Sequence, residues 1–238
     1  MEKIKNLNVK IFADGANKKD MLEMNSKSFI KGLTTNPTLM KKEGISDYKK
    51  FCIDILSIIK EKPISFEVFS DDFEEMERQA REIASWGENV YVKIPITNTK
   101  KETCYETIKK LSKDKVKINI TAVMTLKQVK EVVSVLQPEI PSYISVFAGR
   151  IADTGIDPEP LMAEAVKLLK SKPASELIWA SPRELLNIFQ ADKIGCQIIT
   201  VTNDILKKLT LIDYDLNTYS LDTVKMFYSD AVAAGFKL

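Results

Sequence analysis

Residues 90–97 read Val90-Tyr91-Val92-Lys93-Ile94-Pro95-Ile96-Thr97, an apolar and largely β-branched run with one lysine in its middle. This composition predicts a buried β-strand. Burying an ammonium group is costly, so a lysine in such a run is normally neutralised or paired with an anion. A neutral amine is a nucleophile whose characteristic reaction is Schiff-base formation with a carbonyl compound. The alternative is a lysine whose stem follows the strand and whose ammonium reaches water at the strand end.

Short apolar runs alternate with longer amphipathic stretches along the whole chain. The runs predict strands at 9–14, 30–36, 64–69, 90–97, 116–123, 143–150, 176–181 and 197–201, with helices between them, for example at 48–61, 126–137 and 159–170. This alternation is typical of a parallel sheet. Eight such units in 238 residues predict one α/β domain over 1–238, a (β/α)8 TIM barrel with an extra C-terminal helix at about 220–234. A doubly wound open sheet is the competing architecture.

Composition excludes several classes of function. The formal net charge of +2 gives no electrostatic reason to expect nucleic acid or an acidic membrane surface as a partner. No apolar stretch has the length of a membrane-spanning helix. The absence of histidine excludes Ser-His-Asp and Cys-His hydrolases and histidine-ligated metals. The cysteines at 52, 104 and 196 are widely separated, as expected for core residues in a reducing cytosol. We therefore expect a cytoplasmic protein without a metal or another cofactor.

Polar residues stand within or just after each of the first seven predicted strands. In order they are Asp14; Thr34, Thr35 and Asn36; Glu67; Lys93; Asn119 and Thr121; Ser145 and Arg150; Ser181 and Arg183. In a (β/α)8 barrel the C-terminal strand ends meet at one face. Any one of these residues has a structural explanation, such as a turn cap or a buried ion pair between Glu67 and Lys93. Together they offer an amine nucleophile, two carboxylates for proton transfer and two arginines suited to a phosphate.

The motifs around these residues resemble those of the transaldolase family, in the short-chain subfamily that also contains fructose-6-phosphate aldolases. They are Phe12-Ala13-Asp14, Gly32-Leu33-Thr34-Thr35-Asn36-Pro37-Thr38-Leu39, Val92-Lys93-Ile94-Pro95, Asn119-Ile120-Thr121, Ser145-Val146-Phe147-Ala148-Gly149-Arg150 and Ala180-Ser181-Pro182-Arg183. The resemblance extends from Phe12 to the last helix. It implies a class I enzyme of the pentose phosphate pathway that uses a lysine Schiff base instead of a metal.

The resemblance also implies roles, residue by residue. Lys93 forms the imine with a ketose phosphate, and Asp14 is the general base. Glu67 and Thr121 hold a water that relays protons. The implied substrate contacts are Asn36 and Asn119 with the dihydroxyacetone portion, Thr34 and Phe147 in the site wall, and Ser145, Arg150, Ser181 and Arg183 with the phosphate. We expect desolvation and the arginines to favour the neutral amine, with Glu67 acting through water.

Two positions favour group transfer over release of free dihydroxyacetone. Family transaldolases typically have Glu on strand three and Phe on strand six, where the aldolases have Gln and Tyr, and this chain has Glu67 and Phe147. We therefore expect a transaldolase that moves a dihydroxyacetone unit from a ketose phosphate, such as fructose 6-phosphate, to an aldose phosphate. The alternatives are an aldolase that releases dihydroxyacetone and a sugar-phosphate-binding barrel without catalysis. Gly15 departs from the family, which commonly has a hydroxyl residue there.

The last predicted helix carries more apolar surface than a terminal helix needs. Its apolar residues are Leu221, Val224, Met226, Phe227, Ala231 and Val232, with Phe236 beyond. This surface either covers the barrel's own flank or packs on a neighbouring subunit. The resemblance implies a homo-oligomer, often a pentameric ring.

Overall fold

Eight parallel strands close into a barrel in the computed structural model, which describes Ile4 and residues 6–238. The strands are β1 (Lys10–Asp14), β2 (Ile30–Thr34), β3 (Ile64–Glu67), β4 (Val90–Pro95), β5 (Ile118–Val123), β6 (Ser142–Val146), β7 (Ser175–Trp179) and β8 (Ile198–Thr202). Each strand pairs with the next, and β8 pairs with β1. The predicted TIM barrel is confirmed, and the open sheet is wrong because its edge strands would lie apart.

Helices alternate with the strands. They are α1 (Lys18–Ser26), α2 (Pro37–Lys42), α3 (Tyr48–Leu56), α4 (Phe73–Ala84), α5 (Tyr105–Lys113), α6 (Leu126–Val135), α7 (Ala148–Ala152), α8 (Glu159–Leu169), α9 (Leu186–Lys193), α10 (Asn203–Lys207) and α11 (Leu216–Ala233). Several begin at side-chain caps, as at Asp47 before α3 and Asp72 before α4. Within the described residues no helix is long and apolar enough to span a bilayer.

The barrel has an outer and an inner core. Outward-facing strand residues such as Ile11 and Leu33 pack with the buried faces of the helices into one large cluster. A second, smaller cluster contains the inward-facing residues Phe12, Tyr143, Ile178, Ala180 and Ile198. Because side chains alternate along a strand, polar residues two positions beyond these inner ones also point into the barrel. The inner core therefore supports whatever stands above it at the C-terminal strand ends.

The sixth strand departs most from its predicted C-terminal bound. The sixth strand was predicted over 143–150, but β6 ends at Val146 and residues 148–152 form α7. The Phe147 N–H still donates to the Val123 carbonyl, and the chain then turns into the helix. Arg150 therefore lies on a short helix above the barrel, one turn beyond the strand. The predicted helix at 48–61 likewise ends at Leu56.

The C-terminal helix α11 differs from every other long helix because none of its residues is buried. It begins four residues before the predicted position 220, at an Asp215 cap. Its exposed apolar residues are Leu216, Tyr219, Leu221, Val224, Met226, Phe227, Tyr228 and Val232. Of the two alternatives for this helix, burial of its apolar surface against the barrel's own flank is therefore wrong.

Candidate active site

The predicted site residues converge on one cavity of about 650 Å³ at the C-terminal end of the barrel. The predicted residues in its wall are Asp14, Thr34, Asn36, Glu67, Lys93, Thr121, Ser145, Phe147, Arg150, Ser181 and Arg183. Asn119 is the exception, since it lies fully buried outside the lining. Residues from seven consecutive strands and their following loops thus face the same space, as the position of the strand ends predicts.

Lys93 lies at the centre of this arrangement and is only 6% exposed. Its Nζ lies 3.1 Å from Glu67 Oε2 and donates to the Thr35 carbonyl at 2.9 Å. The pair forms because β3 and β4 place Glu67 directly beside Lys93 in register. The lysine does not reach bulk water at the strand end, so the alternative of an extended stem is wrong. The sequence predicts that Glu67 acts through a water, whereas in the structure it contacts the amine directly.

The hydroxyl of Tyr48 fixes the end of β3, on which Glu67 stands. It donates to the Glu67 carbonyl at 2.7 Å and accepts from the Glu67 N–H at 2.8 Å. Only Leu33 and Thr34 of β2 pair with β3, so the strand end needs another partner. Burial raises the pKa of the Tyr48 hydroxyl, which therefore keeps its proton. Tyr48 acts as a local substitute for a neighbouring strand and thereby holds the Glu67 backbone.

Asp14 stands at the end of β1 and lines the same cavity as the ion pair. Its Oδ1 accepts a hydrogen bond of 2.7 Å from the Thr34 hydroxyl. Loss of hydration raises the pKa of this carboxyl, while the charge of Lys93 and the Thr34 hydrogen bond oppose the rise and Glu67 adds to it. A carboxylate with a raised pKa is a better proton acceptor than an ordinary surface aspartate.

Two asparagines predicted to bind substrate are placed differently. Asn36 lines the cavity, and its Oδ1 caps α2 by accepting from the Leu39 N–H at 3.0 Å, which leaves its amide to donate. Asn119 accepts from the Ser145 hydroxyl at 2.7 Å and donates to the Ser65 hydroxyl at 3.0 Å. Asn119 therefore supports the cavity from beneath, and its contact with substrate stays a prediction.

Two arginines lie on the side of the cavity formed by β6 and β7. The Arg150 guanidinium lies 5.8 Å from the centre of the Phe147 ring, a cation–π distance. Arg183 donates to both carboxylate oxygens of Asp153, one at 3.0 Å from Nε. Both arginines are exposed, so a phosphate entering from solvent can reach them. Paired cationic groups of this kind suit a phosphate dianion.

The segments that follow β6 and β7 are in close backbone contact. A Cβ on Gly149 would lie 1.6 Å from the Ser181 carbonyl oxygen, so only glycine fits there. Ser181 and Ala122 both adopt left-handed backbone angles, with φ of 59° and 60°. Both residues line the cavity, and strained backbone of this kind is concentrated at functional sites.

Two buried hydroxyls in this region are unpartnered. Thr35 Oγ1 and Thr121 Oγ1 have no hydrogen-bond partner among the residues that the structure describes. Buried polar atoms are normally satisfied, so such atoms mark positions where a water or a ligand atom completes the site. Thr121 lies one residue before Ala122 and faces the cavity that contains Lys93.

Sequence reasoning missed three residues that shape the site. Thr200 and Thr202 of β8 line the cavity, and Tyr48 holds Glu67 from α3. Thr200 and Thr202 carry the same signal as Asn119 and Thr121, two polar residues on one face of an apolar strand. The eighth strand extends to Thr202, one residue beyond its predicted end at 201. Tyr48 gave no signal, because its contact depends on how α3 packs on the barrel.

Comparisons with known proteins identify the family. The family described as Transaldolase/Fructose-6-phosphate aldolase matches residues 11–237. The chain belongs to this family. A protein named "Probable transaldolase" from Dehalococcoides mccartyi is 37% identical over 202 residues, covering 84% of this chain and 90% of that protein. A second protein of that name, from Thermoanaerobacter sp., is 33% identical over 232 residues and covers 97% of this chain and 100% of its own.

A solved structure from Burkholderia cenocepacia J2315, named as a lyase/mutase, supports the fold alone. It has a TM-score of 0.59 at 12% identity, covering 97% of this chain and 85% of the other. Membership of the transaldolase/aldolase family makes this chain an enzyme of the aldolase or transferase type with sugar phosphates as fitting substrates. Within the described residues, no three acidic or thiol side chains cluster so that they could hold a metal ion.

Proposed function

We propose that the protein is a class I transaldolase that transfers a dihydroxyacetone unit through a Schiff base on Lys93. The observation that carries the proposal is the buried Lys93 amine, which faces a large polar cavity and contacts Glu67 at 3.1 Å. A buried amine next to a proton acceptor can be deprotonated and then attack a carbonyl carbon.

The reaction begins when the Lys93 nitrogen attacks the C2 carbonyl of a ketose phosphate. The resulting carbinolamine loses water to give a protonated imine, with Glu67 and Thr121 moving the protons. Asp14 then takes the proton from the C4 hydroxyl, and the C3–C4 bond breaks. The aldose phosphate leaves, and the electron pair from the broken bond passes into the cationic imine to form an enamine. An acceptor aldehyde reverses these steps, and water hydrolyses the new imine.

The phosphate of the donor is proposed to bind Arg150 and Arg183, with the Ser145 and Ser181 hydroxyls as further donors. Both guanidinium groups lie on the β6–β7 side of the cavity. A phosphate held there leaves the sugar chain to extend toward Lys93. Binding energy from this remote group would then serve to position the reacting carbons.

Transfer to an acceptor is favoured over release because Phe147 faces the cavity without a hydroxyl group. A phenylalanine cannot donate the proton that helps discharge the enamine as free dihydroxyacetone. The three-carbon fragment should therefore remain on Lys93 until an aldehyde phosphate arrives.

Borohydride trapping tests the chemistry. Wild-type protein treated with fructose 6-phosphate and borohydride should gain one dihydroxyacetone-derived mass on the peptide that contains Lys93, whereas Lys93→Arg should gain none. The arginine variant keeps the positive charge beside Glu67 but cannot form an imine. Adducts on other peptides, or no adduct in the wild type, would refute the proposal. Binding of fructose 6-phosphate without any turnover would instead indicate a barrel that has lost catalysis.

Release of free dihydroxyacetone without an acceptor separates transfer from aldol cleavage. We expect slow release by the wild type and faster release by Phe147→Tyr, which adds only a hydroxyl to the ring. Release by the wild type that is as fast as transfer would replace the transaldolase proposal with the aldolase alternative.

We further propose that α11 mediates homo-oligomer formation. Phe227 is 63% exposed and Tyr228 72% exposed, although an 18-residue helix with an unpartnered apolar surface is only marginally stable in water. Sedimentation should show an oligomer for the full chain and monomers for a double variant with Phe227→Glu and Val224→Lys. An unchanged mass in that variant would contradict the proposal. The proposed compartment is the cytosol, in agreement with the three buried, unpaired cysteines.

A further inference from the structure

The hydroxyl groups of Thr34 and Thr200 form a chain that ends on Asp14. Thr34 Oγ1 donates to Asp14 Oδ1 at 2.7 Å and makes a short hydrogen bond with Thr200 Oγ1. Both threonines are buried. The contact arises because β2 and β8 are the two neighbours of β1, with Thr34 beside Asp14 and Thr200 beside Phe12 in register.

The direction of the chain follows from the number of protons. An ionised carboxylate only accepts, so the single hydroxyl proton of Thr34 points to Asp14. The contact between Thr34 and Thr200 must then use the Thr200 proton. Thr200 therefore donates to Thr34 whenever Asp14 carries its negative charge. A hydroxyl that accepts one hydrogen bond is a stronger donor in the next, so the chain favours the anion.

We propose that Thr200 is a positioning residue for the reaction, and that it acts through Thr34 to hold the Asp14 carboxylate ionised and directed into the cavity. This inference rests on the proposed function only in the identity of the base; the hydrogen-bond chain itself is independent of the reaction. Without Thr200, the Thr34 hydroxyl loses the contact that fixes its rotation, and Asp14 loses its polarised donor.

Other charged groups around Asp14 remain in place when Thr200 is changed. Those in the large cavity are Lys93, Glu67, Arg150, Arg183 and Asp204, and those in a smaller adjoining cavity are Asp20, Lys42 and Glu43. Lys93 favours the charged form of Asp14 and Glu67 opposes it. A change in the titration of Asp14 on substitution of Thr200 therefore reports the hydroxyl chain.

The first readout is infrared difference titration of the carboxyl band, with Asp14 assigned by its loss in Asp14→Asn. Thr200→Val should raise the titration midpoint of Asp14 by roughly 0.5–1 pH unit, a threefold to tenfold change in proton affinity. Thr200→Ser keeps the hydroxyl and should restore the wild-type midpoint. Thr200→Ala removes the hydroxyl with less bulk and should match Thr200→Val, which covers the case of a valine variant that does not fold.

Thr202→Val is the matched control on the same strand, because the Thr202 hydroxyl bonds to Asp204 instead. It should leave the Asp14 midpoint unchanged. An unchanged midpoint in both Thr200→Val and Thr200→Ala would overturn the proposal, and so would equal shifts in Thr200→Ser or Thr202→Val.

The second readout is kinetic and separates this proposal from the proposed function. In Thr200→Val the acid limb of donor cleavage should move to higher pH by the same amount. Borohydride trapping of added dihydroxyacetone on Lys93, which needs no C–C cleavage, should be unchanged. An infrared shift in a protein whose wild type forms no Lys93 adduct would support the hydroxyl chain and refute the Schiff-base function. If the wild type forms the Lys93 adduct and cleaves the donor, but Thr200→Val shows no infrared shift, the Schiff-base function is supported and the hydroxyl chain is refuted.

Discussion

The two ends of the barrel interior use the same strands for opposite purposes. Near the N-terminal end, Phe12, Tyr143, Ile178 and Ile198 form an apolar cluster, with the Tyr91 and Tyr143 rings stacked at 4.0 Å. Two residues further along the same strands stand Asp14, Lys93, Ser145 and Thr200. A spacing of two residues along each strand thus separates a lower layer of packed apolar side chains from an upper layer of polar side chains that face the cavity. The lower layer can stabilise the fold while the upper layer keeps charges that contribute little to stability.

The strongest test of this comparison replaces Asp14 in the upper layer and leaves Phe12, two residues earlier on the same strand, unchanged. Asp14→Asn should reduce donor cleavage by about 10²–10⁴-fold, because the amide cannot accept the C4 hydroxyl proton. The free energy of unfolding should stay the same or rise, since a desolvated carboxylate is replaced by a neutral group. Steady-state kinetics and urea unfolding measure the two effects. A variant that remains active would remove Asp14 from the mechanism.

The counterpart on the same strand is Phe12→Ala, which should affect mainly stability. Phe12 is buried, contacts the Tyr143 ring edge-on at 5.8 Å and fills the space above Gly32. Its truncation should reduce the free energy of unfolding by about 3–5 kcal/mol. The folded fraction should keep its Lys93 trapping. If trapping instead disappears while the protein stays folded, the two layers are not separable.

Tyr48→Phe should produce an intermediate effect on both stability and catalysis. It leaves the Glu67 N–H and carbonyl without their shared partner, at a cost of about 1–3 kcal/mol for the buried donor. Trapping by Lys93 should slow because Glu67 loses its fixed position. Thermal unfolding and the rate of imine formation measure these effects, and Tyr105→Phe is a control at a tyrosine on α5, outside the cavity lining. Equal effects in both variants would argue against a role for the Tyr48 contact.

The pH dependence of kcat/KM should report the ionisation of Asp14, a residue of the upper layer. Because burial raises the Asp14 pKa, the basic form is lost as the pH falls through that raised value. The acid limb of kcat/KM should therefore lie above about 3.9, the value of an ordinary aspartate. It should be missing or displaced in Asp14→Asn. An acid limb at the ordinary value would show that Asp14 is better hydrated than its surroundings indicate.

The smallest effect is expected at the N-terminal rim. Lys10 Nζ and Glu176 Oε1 lie 2.7 Å apart, but nearly half of the lysine side chain is exposed. Glu176→Gln should change the free energy of unfolding by about 0–1 kcal/mol and leave catalysis unchanged. Thermal unfolding at low and high salt measures the contribution. A loss of activity in this variant would mean that the lower layer is coupled to the site.

The sequence was sufficient for much of this arrangement because the periodicity of a strand is a local property. The alternation in Val90–Pro95 identifies the face on which Lys93 lies, and the order of the strands predicts that Asp14 and Arg183 meet. Family membership then confirmed the resemblance of the motifs. These inferences need no knowledge of how far one strand is displaced along the barrel axis relative to the next.

Depth in the barrel was the property that the sequence did not reveal. Asn119 has the same polar character as Thr121 but lies below the cavity, because its height depends on the stagger between strands. The direct contact of Glu67 with Lys93 depends on the register of β3 and β4 in the same way. Tyr48 reaches Glu67 only after α3 has packed, and α11 has its apolar residues without a surface of this chain to cover them.

The glycine at position 149 has a consequence for the two arginines beside it. Since a Cβ at this position would lie 1.6 Å from the Ser181 carbonyl oxygen, the absence of a side chain lets the segments that carry Arg150 and Arg183 approach each other closely. The spacing of the two main-chain segments thus depends on a glycine, while each guanidinium is further positioned by a side chain, Phe147 for Arg150 and Asp153 for Arg183. For the phosphate site proposed above, any larger residue at position 149 would push these two segments apart and so change the anion that fits.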